Sequence, residues 1–234
     1  MKKTTVIAAV VVVIAAIVSA LAVAVVLMGG GGKDAKDKPA AAVATDTVAA
    51  APDTATTFTD TRDGKVYRIV EINGQVWMAE NLNYAAEGSK CYKDSAEYCA
   101  KYGRLYDWET ALTACPAGTH LPSDKKWETL VNYTGGEEKA EKKLKSSTGW
   151  KSYKDVSTGK DEYGFLALPG GWWDANDDYF RAAGYFGRWW SATAEANNAF
   201  FRVMGYFCES VYRGSLDKAS RFSVRCVQNK EGEQ

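Results

Sequence analysis

The sequence predicts an α+β domain of short antiparallel strands with two or three short helices, carried behind an N-terminal transmembrane helix. Three observations predict it. The 8 Trp and 13 Tyr all lie beyond residue 66, with most of the glycines, and sequence of that kind without long periodic runs favours short strands and many turns. The stretch 123–131 carries a capping residue followed by helical apolar spacing. Ahead of both, residues 6–28 are free of charge, a run of about 23 residues against the roughly 20 that cross a hydrocarbon core.

Met1-Lys2-Lys3 is the short positive region that precedes an export signal. A cleaved signal has an apolar segment of about 7–15 residues. Here Ala20-Leu21-Ala22 offers a cleavage site, but the apolar run continues to Met28, which favours an uncleaved signal anchor over 1–28. No cysteine lies near position 20, which excludes a lipoprotein. Gly29 to Gly32 end the helix, and 33–57 hold mainly Ala, Thr, Asp, Lys and Pro with no aromatic residue. Such composition cannot bury enough apolar surface to offset chain entropy. Residues 29–57 therefore read as a flexible low-complexity tether and 58–230 as the globular domain. The formal net charge is zero with pI near 6.6, so no basic field points to nucleic acid as a partner.

Within the domain, Asp63-Gly64 and Asn73-Gly74 are tight-turn dipeptides, since Asn, Asp and Gly tolerate positive φ. They bracket a Val-, Ile- and Tyr-rich strand over 65–72, with 75–78 as its partner and Trp77 in the core. Residues 107–114 predict a short helix and 124–133 a second. Ser123 is the N-cap of the second, Asp124 complements the helix dipole, and Trp127, Leu130 and Val131 form its apolar face. A third helix, charged and mostly exposed, is expected over 137–146. Beyond Trp150 turns dominate. The run 163–173 reads as an apolar strand ending in a Gly-rich turn, 189–193 as another short strand, and 200–206 and 211–213 follow. Residues 221–227 alternate, with Phe222, Val224 and Cys226 on one face and Arg221, Ser223 and Arg225 on the other.

The five cysteines contain no Cys-x-x-Cys pair and the only histidine is His120, so the spacing does not fit a zinc site. Disulfides in an oxidising compartment fit better, and they place the C-terminal domain on the exported side, periplasmic or cell surface. Cys91 and Cys99 flank a polar loop that a bond would close. Cys115 before a helix and Cys226 on the last strand suggest a long-range closure. Loop entropy gives upper figures of about 2.6 kcal/mol for the first ring and about 4.8 kcal/mol for the second.

His120 fits a structural role in the helix-entry loop, because no nucleophile and orienting group accompany it by spacing. Asp161, Glu162, Asp174, Asp177 and Asp178 read as solvated acids rather than calcium ligands. No catalytic residue, metal or cofactor is predicted. The loop carrying Trp172, Trp173 and Tyr179 is rich in Gly, Asn and Asp; flat aromatic faces beside amides and carboxylates stack on sugar rings and bond their hydroxyls. These three are the candidate ligand-binding residues.

Several segments together resemble the Fibrobacter-succinogenes-type major paralogous (FISUMP) domain. They are Asn73-Gly74-Gln75-Val76-Trp77-Met78-Ala79-Glu80-Asn81-Leu82-Asn83-Tyr84, Cys99-Ala100-Lys101-Tyr102-Gly103-Arg104-Leu105-Tyr106, and the runs 115–127, 161–171, 189–193 and 222–227. The resemblance covers roughly 61–228. It implies an exported cell-envelope domain, distantly similar to C-type-lectin-like and sulfatase-modifying folds, and little about chemistry. Two positions depart from the pattern. Arg221 replaces a small residue, and Cys208 replaces a polar one, which leaves Cys208 as the unpaired thiol. The expectation is a membrane-anchored, exported envelope binding module without catalytic activity, with polysaccharide as the target. A structural or assembly protein of the envelope without a small ligand is the alternative. An oxidase related to sulfatase-modifying enzymes is a third reading, and it would require Cys208 and Cys226 as a redox pair.

Overall fold

The computed structural model describes residues 56–154 and 159–228. The helix expected over 1–28 and the tether as far as residue 55 lie outside the described residues. Among the described residues, no helix is long and apolar enough to cross a membrane.

The domain opens as a three-stranded meander of β1 (Thr57–Thr59), β2 (Val66–Ile72) and β3 (Gln75–Met78). Asn73 and Gly74 join β2 to β3 with φ of 50° and 68°, the left-handed pair that a tight hairpin requires. Helix α1 (Ala96–Tyr102), strand β4 (Leu105–Tyr106), helix α2 (Trp108–Ala114) and strand β5 (Thr119–His120) follow. Next come α3 (Asp124–Tyr133) and α4 (Glu137–Leu144). After a long irregular passage the chain forms the hairpin β6 (Trp172–Asp174) and β7 (Tyr179–Arg181). It ends in β8 (Phe186–Glu195), β9 (Asn198–Gly205), β10 (Tyr212–Asp217), β11 (Phe222–Ser223) and β12 (Val227–Gln228). The fold is mixed α+β, with one sheet ordered β1-β2-β3-β12-β5 and a second ordered β10-β9-β8-β11-β4. The pairing is antiparallel except where β11 meets β8 in parallel.

Two buried clusters flank the second sheet. Alternation along β8 sends Trp190 to one, with Tyr106, Phe201 and Phe222, and Trp189 to the other, with Trp77, Trp127 and Phe165. Helix α3 closes the second cluster. Ser123 Oγ accepts from the Lys126 N–H at 3.3 Å, and the Trp127 ring lies 4.9 Å from Trp77. The Asp124 carboxylate accepts from Arg202 of β9 and Arg213 of β10, both at 2.8 Å. One residue thus serves the dipole and pins the helix to the sheet.

Four expectations change. Residues 163–171 are irregular rather than a strand: Asp161 Oδ1 accepts the Leu166 N–H at 2.7 Å and Leu166 has φ of 54°. The reason is that this backbone offers its carbonyls to a side chain instead of a neighbouring strand. The closing stretch is not one alternating strand. It divides into β11 in one sheet and β12 in the other, and Ser223 and Arg225 are as buried as Phe222 and Cys226. Helix α1, bearing Cys99, occupies what the sequence presents as part of a polar loop. Helix α4 is charged but buries Glu141 on its inner face with Ala140 and Leu144.

The fully buried Arg225 explains the first two changes. Its guanidinium donates to Asn81 Oδ1 (2.8 Å), Met78 O (3.1 Å), Leu166 O (3.3 Å) and Phe165 O. Asn81 Oδ1 also accepts from Trp189 Nε1 at 2.8 Å, and Asn81 Nδ2 donates to Tyr102 O at 2.8 Å. Burial lowers the pKa of Arg225 to about 9. The charge is tolerated because carbonyl oxygens surround it. Five of the segments that carry the resemblance meet at this hub.

Candidate functional site

The five cysteines resolve into two bonds and one thiol. Cys91 pairs with Cys99, Cys115 pairs with Cys226, and Cys208 is free. Cys226 is therefore committed to Cys115. Cys208 follows β9, beside the inner face of α4. There Glu141 Oε1 accepts the Gly205 N–H at 2.7 Å and stands 3.3 Å from Lys145 Nζ. Lys145 donates to Gly205 O at 2.9 Å and lies over the Trp150 ring. Burial pushes the Glu141 carboxyl up to about 7. Burial, and then the Glu141 charge, push the Cys208 thiol up, which works against a reactive thiolate. No three His, Cys, Asp or Glu side chains are arranged to hold a metal ion among the described residues.

The hairpin β6–β7 sorts the three aromatic candidates. Trp172 pairs with Arg181, Trp173 with Phe180, and Asp174 with Tyr179. Strand alternation therefore sends Trp172 and Tyr179 to one face and Trp173 to the other. The structure does not bring the three rings together. Trp172 is 9% exposed, in edge contact with Phe186 at 6.1 Å, and belongs to the core. Tyr179 is 61% exposed at the end of the hairpin.

Trp173 lines a cleft of about 370 Å³ with Asp107, Glu109, Lys218, Ala219 and Arg221. Trp173 and Arg221 exchange backbone hydrogen bonds at 3.0 Å in each direction, which fixes the floor. The Arg221 guanidinium sits 4.4 Å from the Trp173 ring centre and donates to Gly88 O at 3.0 Å. Its Nη2 lies 3.8 Å from Asp107 Oδ2. Asp107 is also the N-cap of α2, accepting the Thr110 N–H at 3.0 Å. Opposite, Lys218 Nζ lies 4.4 Å over Trp108. The cleft thus joins an indole surface to two carboxylates and two cations. Such a set accepts and donates hydrogen bonds to hydroxyls around an apolar ring face.

A second cleft, of about 400 Å³, was not foreseen. It runs between α1 and the irregular passage and is lined by Glu97, Tyr98, Lys101, Tyr102, Trp150 and Lys151. Tyr98 and Tyr102 sit one turn apart with ring centres 6.0 Å apart. Their i, i+4 spacing was the available signal, hidden by the shortness of α1. His120 lies on β5, paired to Val227 in the first sheet, remote in the topology from the hairpin.

Residues 70–228 match the Fibrobacter succinogenes major domain. No curated protein and no solved structure matches the chain. With well over half of its residues inside that match, the chain belongs to the Fibrobacter succinogenes major domain family.

Proposed function

We propose that the chain is a non-catalytic binding module of the cell envelope, exported and held to a membrane by residues 1–28, with polysaccharide as its target. The single observation that carries the reading is the cleft at Trp173, where an indole is flanked by Asp107, Glu109, Lys218 and Arg221. The two disulfides support an oxidising, exported location. The Cys115–Cys226 bond supports the absence of oxidase chemistry, because Cys208 then has no partner thiol. A C-type-lectin-like architecture is part of the same reading. It is supported by the pairing of β12 with β3, which joins the two ends of the domain, and by the Cys115–Cys226 closure.

The test is retention of the full chain, in detergent, on cellulose, xylan and peptidoglycan. Retention by one polymer, lost in Trp173→Ala with an unchanged melting transition, is the expected result. Trp172 is unsuitable for this purpose, since its truncation opens the core. No retention on any of the three, nor on an acidic polysaccharide, would overturn the reading and favour an assembly role without a small ligand.

A further inference from the structure

On the other face of the β6–β7 hairpin, Arg188 of β8 lies flat on Trp172, with the guanidinium carbon 3.6 Å from the ring centre. Phe201 and Phe222 lie 5.1 and 5.4 Å away. Among the described residues this guanidinium makes no hydrogen bond and has no carboxylate within ion-pair distance, unlike arginines 62, 68, 181, 202, 213 and 221. Asp174, the acid whose charge reaches it, is engaged by Arg181 at 3.4 Å. Its Nε is sealed from solvent without a hydrogen-bond partner, as is Trp172 Nε1, while its two terminal nitrogens are not sealed. Burial has already lowered its pKa to about 10. Aromatic faces offset part of that desolvation, but they leave the N–H edge of the fork unused.

The surface around that edge carries exposed tyrosines beside the Arg181–Asp174 pair. Arg188 stands opposite Val203, and Val203 opposite Tyr212, so Arg188 and Tyr212 share a face two strands apart. Tyr212 is 49% exposed there. On the hairpin side, Tyr179 shares the face of Trp172. An unpaired planar fork on faces that also carry two exposed tyrosines matches a carboxylate carried on a sugar ring, because the fork binds carboxylates bidentately and flat rings take sugar faces.

We propose that Arg188 is the carboxylate anchor of a subsite for uronate-bearing, acidic polysaccharide, with Tyr179 and Tyr212 as flanking platforms. The subsite rests on the polysaccharide reading above and adds the class of sugar. It also gives Tyr179 a place that the Trp173 cleft does not.

The probe is polygalacturonate, compared with the same polymer fully methyl-esterified and with neutral xylan, using affinity electrophoresis of the full chain in detergent. The expected result is at least tenfold stronger retardation by the acid polymer than by its ester, abolished in Arg188→Gln and reduced but not abolished in Arg188→Lys, which keeps the charge without the planar fork. Equal retardation by acid and ester, or acid binding unchanged in Arg188→Gln, overturns the anchor. Binding to xylan alone overturns the anchor and leaves the wider reading standing, whereas binding to no polysaccharide removes both. If Arg188→Gln fails to fold, the acid-to-ester comparison on the unaltered chain and the Lys variant decides.

Discussion

Glu141 makes the stability of the domain fall as pH rises through the weakly acidic range. Its residue is fully buried, and its carboxyl is raised from 4.5 to about 7 by desolvation that Lys145 and the Gly205 N–H only partly offset. The folded state therefore holds this proton more tightly than the unfolded chain does. With the native pKa above the unfolded one, the native state binds more protons between pH 4.5 and 7, and stability declines across that window and is level above it. The difference of about 2.5 units corresponds to about 3 kcal/mol in full, of which about 2.5 kcal/mol falls between pH 5 and 7.5. Urea unfolding followed by tryptophan fluorescence without reductant, at both pH values, measures it. Glu141→Gln, a mimic of the protonated carboxyl that the folded state holds at pH 5, is expected to leave stability at pH 5 close to that of the unaltered chain. It should also remove about 2.5 kcal/mol of the pH-dependent decline. An identical decline in the two proteins would refute the assignment of the proton to Glu141.

The Cys115–Cys226 bond spans 111 residues, so its replacement by a serine pair is expected to cost up to about 4.8 kcal/mol, against up to about 2.6 kcal/mol for the Cys91–Cys99 pair. Calorimetry of the two double variants should give that order, and the reverse order would count against loop closure as the source. Arg225→Lys keeps the charge but cannot reach Asn81, Met78, Phe165 and Leu166 together. At 1–3 kcal/mol for each buried acceptor left unpaired, a loss of at least about 3 kcal/mol in urea unfolding is expected. A loss below 1 kcal/mol would mean that the irregular passage is held by something else.

What the sequence made legible was local. Helix α3 is bounded as its cap and apolar spacing require, because Ser123 acts on the backbone three residues on. The β2–β3 hairpin follows from Asn73-Gly74, whose positive φ values admit few other residues. The less legible parts depend on partners far along the chain. Residues 163–171 have the composition of an apolar strand, yet the Phe165 and Leu166 carbonyls serve Arg225, some 60 positions away. The alternation of 221–227 is real, but alternation reports a wet face only when nothing covers it, and here both faces are covered. Glu141 sits in a helix with charge all round, and only the loop after β9 turns one of those charges inward. For the candidate site, aromatic composition located the hairpin, but the division of Trp172 from Trp173 depends on register that composition does not carry.

The central seats of β11 and β12 also dictate an order of events. The strands that complete both sheets are the last to be synthesised, and Arg225 must find Met78 across 147 residues of chain. A chain delivered N-terminus first across a membrane keeps both sheets open until its end arrives, and contacts of such long sequence separation form slowly. If the domain is exported as proposed, Cys91, Cys99 and Cys115 would meet the oxidising side before Cys208 and Cys226. Cys91 and Cys99, only eight residues apart, capture one another first by proximity. Cys115 is thereby left without a nearby thiol to mispair with, held in reserve for the residue that closes the domain.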